Sequence, residues 1–171
     1  MSEGNNTPAR AAERDIVITR VFDAPRELVF DAWTKPEHLT AWWAPKGCTT
    51  PHCTVDLRAG GSFHYCMRLP DGRDIWGIGL YREIVRPERI VYADWFADEK
   101  GNKVLPSHYG MSAGHPAETL VTVTFVQRGR GTQLTLRHSI PESVQEREAT
   151  GQGWSEMLDR LADHVAAGKK G

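Results

Sequence analysis

The sequence predicts an α+β fold: a curved antiparallel sheet of six or seven strands wrapped on a long C-terminal helix, with two short helices after the first strand. Three observations predict it. Residues 16–43, IVITRVFDAPRELVFDAWTKPEHLTAWW, read as a strand followed by two helices that each begin at a proline. From residue 52 the apolar period changes to two and stays there through a run of strands. The chain then returns to helical spacing at GQGWSEMLDRLADHVAAG, residues 151–168.

In the first strand, Asp15 to Asp23, Ile16, Ile18 and Arg20 alternate with Val17, Thr19 and Val21, the pattern of a strand with two partly covered faces. Ala24-Pro25 starts a helix, because the missing proline N–H had no partner in a first turn anyway. Asp23 and Glu27 suit the positive end of the helix dipole. Val29, Phe30 and Trp33 give that helix one apolar face. Pro36 begins the second helix, with Leu39, Trp42 and Trp43 on one side, and Pro45 and Gly47 end it.

Cys53, Val55 and Leu57 alternate up to Gly60-Gly61, and Phe63, Tyr65 and Met67 alternate up to the turn Pro70-Asp71-Gly72. Asp74 to Val85 is a longer strand with Gly77 and Gly79 inside it, marking a bulge, a bend or a close approach by another group. Arg89 to Phe96 follows the turn at Arg86-Pro87-Glu88. Leu120–Gln127 and Thr132–Ile140 make the last hairpin, with Val121, Val123 and Phe125 on one face and Leu134, Leu136 and His138 sharing another. Ser143 and Glu146 have capping-box spacing, so the final helix is expected to start there and run 25 residues to Ala167, with Gly168 as its stop. Its apolar stripe is Trp154, Met157, Leu158, Leu161 and Val165.

The 171 residues, 40% of them apolar, suit a single domain over residues 15–168, and the polar, aperiodic residues 1–14 read as a disordered tail. Lys and Arg total 21 against 22 Asp and Glu, so overall charge gives no reason to expect nucleic acid or an anionic membrane as a partner. Neither a membrane-length apolar run nor a secretory leader is visible, and three cysteines (Cys48, Cys53, Cys66) suit reduced thiols in a cytoplasm.

Several motifs have a dull and a sharp meaning. Gly110-Met111-Ser112-Ala113-Gly114 matches G-x-S-x-G literally, but a nucleophile elbow needs a strand before the serine and a helix after it. Here a loop of Pro, Gly and His surrounds it. Cys48, Cys53 and Cys66 with His52 and His64 lack the two tight pairs of a structural zinc site. Gly77-x-Gly79 and Gly151-x-Gly153 each lack the third glycine of a dinucleotide loop. No metal, cofactor or catalytic residue is therefore expected. Trp33 and Trp154 read as core, whereas Trp42, Trp43, Trp76 and Trp95 read equally as core or as the wall of an apolar pocket. Gly101 to Glu118 is an aperiodic loop holding His108, Tyr109 and Met111, which suits either the mouth of a cavity or disorder.

Four segments carry a resemblance: VFDAPRELVFDAWTKPEHLTAWW (21–43), VDLRAGGSF (55–63), PDG with the following GLYREIVRPERIVY (70–92), and GW…ML..L…V (153–165). Together, in order over about residues 15–167, they resemble the START-like, helix-grip superfamily known as SRPBCC. Within it the chain is similar to the branch containing the C-terminal domain of the activator of the heat-shock-protein-90 ATPase. The resemblance implies a cavity between sheet and long helix, and it places the face of Leu134, Leu136 and His138 toward that helix. Superfamily members include lipid and steroid carriers, hormone receptors, aromatase/cyclases and co-chaperone domains, which share a cavity rather than a reaction.

The expectation is a soluble cytoplasmic binding protein holding a small, mostly apolar molecule. Its cavity walls would be Gly151, Trp154 and Leu158 from the helix, Phe63, Tyr65, Met67, Tyr92 and His138 from the sheet, and Asp94 facing His138. Gly151 would supply a notch for the ligand. An aromatase/cyclase-like enzyme using His138 or Tyr109, and a co-chaperone-like interaction module, are the alternatives. A homodimer is compatible with all three.

Overall fold

The computed structural model describes residues 15–141 and 143–170, apart from the side chains of Lys169 and Lys170. The expected tail, residues 1–14, lies outside the described residues. The elements run β1 (Asp15–Phe22), α1 (Arg26–Thr34), α2 (Pro36–Trp42), β2 (Thr49–Val55), β3 (Ser62–Arg68), β4 (Asp74–Val85) and β5 (Arg89–Ala97). A 3-10 turn (Pro106–Tyr109), β6 (Glu118–Arg128), β7 (Gly131–Ser139) and α3 (Arg147–Lys170) complete them. The seven strands form one sheet in the order β1-β7-β6-β5-β4-β3-β2. Every neighbouring pair is antiparallel. This is the α+β helix-grip arrangement, with seven strands rather than six.

Strand alternation divides the sheet into an inner face, turned to α3, and an outer face. Val121, Val123 and Phe125 of β6 and Leu134 and Leu136 of β7 are fully buried on the inner face. Against them α3 lays Trp154, Met157, Leu158, Leu161 and Val165, all buried at helical spacing. Val29, Phe30 and Trp33 of α1 and Leu39 and Trp42 of α2 close one end of this core. Trp33 links the helices, its ring 4.8 Å from Trp42, 5.6 Å from Trp43 and 6.0 Å from Trp154. Each such aromatic pair contributes roughly 0.5–1.5 kcal/mol beyond area burial. The Trp42 indole N–H donates to the Ala32 carbonyl, 2.9 Å away, which satisfies one of the free carbonyls at the end of α1. Arg160 of α3 donates to the carbonyls of Ala41 and Ala44, a guanidinium set against the negative end of α2.

The two glycines inside β4 have one shared cause. Gly77 pairs with Tyr65 and Gly79 with Phe63 across the β3–β4 ladder. A Cβ at either glycine would overlap the ring of its partner. The glycines let the Tyr65 and Phe63 rings lie down on β4 instead of standing off the sheet. Of the alternatives that interior glycine admits, this is close approach.

Several boundaries differ from the sequence reading. α3 starts at Arg147, not Ser143, and continues through Gly168 to Lys170, so neither the capping box nor the glycine stop forms. The Glu146 carboxylate that the box requires is bonded to Ser112 instead. The strand expected to reach Leu57 ends at Val55, and Leu57 is exposed. β6 begins at Glu118, two residues before the expected Leu120, and this places Thr119 on the inner face with Val121.

Candidate functional site

Under the first half of α3, where the inner residues of β5, β6 and β7 are Asp94, Thr119 and His138, the core leaves a cavity of about 410 Å³. Its walls come from β3 to β7, α3 and the loop before β6. Most of the lining is apolar, including Trp43, Met67, Ile75, Phe96, Trp154 and Met157.

One polar row crosses this wall. Tyr65 donates its hydroxyl to Asp94 Oδ1 at 3.0 Å. Asp94 of β5 is the register partner of Thr119 on β6. The Thr119 hydroxyl lies 2.8 Å from His138 Nε2, and the Trp154 indole N–H donates to His138 Nδ1 at 3.0 Å. An indole N–H only donates, so His138 Nδ1 is the acceptor. Nε2 therefore carries the ring proton and donates to Thr119. Both histidine nitrogens are spent. Burial, with a smaller contribution from His115, pulls His138 down to about 3, so it is neutral across the physiological range. Asp94 moves the other way: burial pushes it up to about 7, partly offset by the Tyr65 hydrogen bond.

The mouth is formed by the loop after β5. Tyr109 fixes its base, donating to the Ala97 carbonyl at 2.6 Å and accepting from the Trp76 N–H at 3.2 Å. Its tip is tied to the start of α3: the Ser112 N–H and hydroxyl both donate to the Glu146 carboxylate, each at 2.8 Å. Those two bonds hold Glu146 below the usual carboxylate range. Met111 and His115 complete the rim. This loop is an ordered rim rather than a disordered segment. Ser112 has no strand before it and no helix after it, and its hydroxyl is a donor to Glu146.

Of the residues expected at a cavity, the structure brings together Trp43, Tyr65, Met67, Asp94, His138, Trp154 and Met111. Trp42, Phe63, Tyr92 and Leu158 are instead filled core, each with 3% exposure or less and none on the cavity wall. Trp76 and Trp95 touch the wall, but strand alternation puts their rings on the outer face. There Trp76 stacks on His64 with ring centroids 5.0 Å apart, and Trp95 Nε1 donates to Glu118. His108 is exposed, and Tyr109 acts from behind the rim. Gly151 faces away from the cavity into a separate polar groove beside Asp15, Ile16 and Glu148, with Ile16 Cγ2 the nearest atom to an added Cβ at 4.0 Å. The glycine on the cavity wall is Gly153. No group of three or more His, Cys, Asp or Glu side chains suited to a metal occurs among the described residues. Cys53 packs on the core while Cys66 is buried on the opposite face.

Sequence reading missed Thr119, Glu146, His115 and Gly153. Thr119 was within reach, since it continues the alternation of Val121, Val123 and Phe125 by one step. Glu146 was masked by its better local role in a capping box.

Comparison with known proteins agrees with this architecture. The profile of the family described as Activator of Hsp90 ATPase homolog 1-like protein matches residues 23–166. The chain belongs to that family. No curated protein matches it significantly. Among solved structures it is similar to a protein from Chromobacterium violaceum, with 29% identity, TM-score 0.74, and coverage of 90% of this chain and 97% of that one. A protein from Nitrosomonas europaea shares the fold at 23% identity and TM-score 0.76, covering 94% and 99% of the two chains. One from Staphylococcus epidermidis has 27% identity and TM-score 0.73, covering 90% of each. No helix among the described residues is long and apolar enough to cross a membrane.

Proposed function

We propose that this chain is a soluble, cytoplasmic binding protein that takes a small, mostly apolar molecule into the cavity between sheet and α3. The observation that carries the reading is the combination of about 410 Å³ of apolar-lined space with one short row of polar groups at its wall. Ligand sites have this composition: apolar area supplies affinity and a few fixed polar groups supply orientation.

An aromatase/cyclase-like reaction draws less support. It needs a proton acceptor at the reacting group, and both nitrogens of His138 are committed to Thr119 and Trp154, so that role would fall to the Asp94 carboxylate and not to His138. A co-chaperone-like role rests on family membership. Stimulation of a heat-shock-protein-90 ATPase by the purified chain would support it.

The test is native mass spectrometry of freshly purified protein, followed by a thermal-shift panel of hydrophobic compounds including sterol-like and flavonoid-like ones. A carried small molecule, or a rise in Tm, is expected, since a ligand at 100 times its Kd adds about 2.7 kcal/mol. A silent panel together with a clean apo mass would remove the binding reading.

A further inference from the structure

The sign of the charge on the cavity wall narrows the ligand class, given that the cavity is a binding site as proposed above. The wall includes two carboxyl groups, Asp94 and Glu146, and no Lys or Arg. Glu146 is at the rim with both oxygens occupied by Ser112. His138 is neutral with both nitrogens engaged. His115 turns Nδ1 to the Pro116 carbonyl at 3.0 Å, so that nitrogen is a donor already in use. Asp94 differs from all of these. Its Oδ1 takes the Tyr65 hydroxyl, and Oδ2 has no ion pair or hydrogen bond among the described residues.

We propose that the cavity takes a hydrophobic amine, with its ammonium group on the Asp94 carboxylate and its carbon frame against Trp43, Trp154 and Phe96. Two further observations support this class. Burial pushes Asp94 up to about 7, so the folded protein holds a carboxyl group short of a cation. The ring of Trp43 lies 5.4 Å from that of Tyr65 and 5.5 Å from that of Trp154. A cluster of this kind offers π faces to an ammonium group, an attraction that strengthens when the cation is desolvated. A carboxylate ligand fails on the same wall, because two acids a few ångströms apart in an enclosed site repel and one must take up a proton. A neutral alcohol fits the space but leaves Asp94 without a counter-charge.

The experiment compares three probes of nearly equal shape by calorimetric titration at pH 8: 2-(1-naphthyl)ethylamine, 2-(1-naphthyl)ethanol and 1-naphthylacetate. The amine is expected to bind at least tenfold tighter than the alcohol, and the carboxylate weakest. Asp94→Asn should bring the amine to the affinity of the alcohol and move the alcohol less than threefold. The ranking on the unaltered protein stands as a test even if the variant folds poorly. A carboxylate binding as tightly as the amine, or an unchanged amine affinity in folded Asp94→Asn, overturns the amine class. Binding of the alcohol in that case leaves the wider binding reading standing. If none of the three binds while the hydrophobic panel does, the amine class alone falls. If the panel is also silent, both readings fall together.

Discussion

The two ends of the space beneath α3 use the same strands to opposite ends. At the far end, Phe125, Leu134 and Leu136 from β6 and β7 meet Leu158 and Leu161, all with 1% exposure or less. At the near end, one or two steps along β5 to β7, the inner positions are Asp94, Thr119 and His138, and α3 brings Gly153 and Trp154. The first end is filled and the second is open. The difference teaches that the cavity is a substitution pattern on an unbroken sheet. Where branched and aromatic residues recur, α3 seats fully. Where they give way to polar groups that bond one another, the space stays.

The largest expected effect tests that division directly. Phe125→Ala at the filled end should cost about 3–5 kcal/mol, since a buried aromatic leaves a hole that its packed neighbours cannot close. Met111→Ala at the rim of the open end should cost under about 1 kcal/mol, because the side chain borders space already empty. Denaturant unfolding of both variants checks it. Equal losses would mean that the rim is as tightly packed as the core.

The next test uses the opposed titrations of the open end. Asp94 holds its proton more tightly folded than unfolded, so its contribution to stability declines as pH rises from near 3.8 to about 7 and is constant above. His138 is the reverse. Its folded value of about 3 lies below the ordinary 6.5, so its contribution is full above 6.5 and is lost as pH falls through that window. Between about pH 4 and 6.5 the two oppose. Asp94→Asn minus wild type should therefore rise with pH, and His138→Gln minus wild type should fall, each by up to about 1.4 kcal/mol per pH unit. Chemical unfolding at pH 4.5, 5.5 and 6.5 gives the slopes. Parallel curves for all three proteins would show that neither group is perturbed by the fold.

These same residues show how much a sequence reveals. The order of elements was legible because each depends on local spacing: prolines at helix starts, period-two runs, a stripe from Trp154 to Val165. The alternation of β7 put His138 on the face of Leu134 and Leu136, and the family resemblance turned that face toward the long helix, where the structure has it. It could not say that Trp154 and Thr119 would take up both of its nitrogens, since those contacts span 16 and 19 residues and depend on the packing of α3. Trp76 and Trp95 were ambiguous for a related reason. Gly77 and Gly79 allowed a bulge, a bend or a close approach, and only the β3–β4 register shows that Tyr65 and Phe63 approach from the inner side. Gly151 was placed two residues off because a helix face read from Trp154 and Leu158 alone is too wide to separate it from Gly153.

A smaller effect is expected at the rim. Glu146→Ala removes the acceptor of two bonds that tie Ser112 to the start of α3. Both groups are partly exposed, so the global loss should be small. The local effect is sharper: amide exchange at Ser112 should accelerate well beyond the change in core amides, because the tie closes the loop rather than the fold. Ser112→Ala should leave any ester hydrolysis unaltered, since the hydroxyl serves only as a donor to Glu146. Loss of such an activity in the folded variant would restore the serine as a nucleophile.

The smallest effect is at Gly151. An interior helical glycine costs about 1 kcal/mol relative to alanine, through the backbone freedom it retains when unfolded. Among the described residues Gly151 has no close neighbour to forbid a side chain: the nearest heavy atom to an added Cβ is Ile16 Cγ2 at 4.0 Å, and its backbone is ordinary helix. Gly151→Ala should therefore raise stability by up to about 1 kcal/mol, seen as a small increase in the denaturation midpoint. Because the position opens onto the groove beside Asp15 and Glu148, and not onto the cavity, even Gly151→Leu should leave the naphthylethylamine affinity within twofold. Gly153→Leu should weaken it at least tenfold, since Gly153 is on the cavity wall and, among the described residues, only the Pro45 ring, at 3.5 Å, lies against its added Cβ. The paired substitutions, two residues apart on one helix, separate the groove from the cavity by calorimetric titration. Loss of binding at Gly151 with Gly153 silent would relocate the ligand to the polar groove.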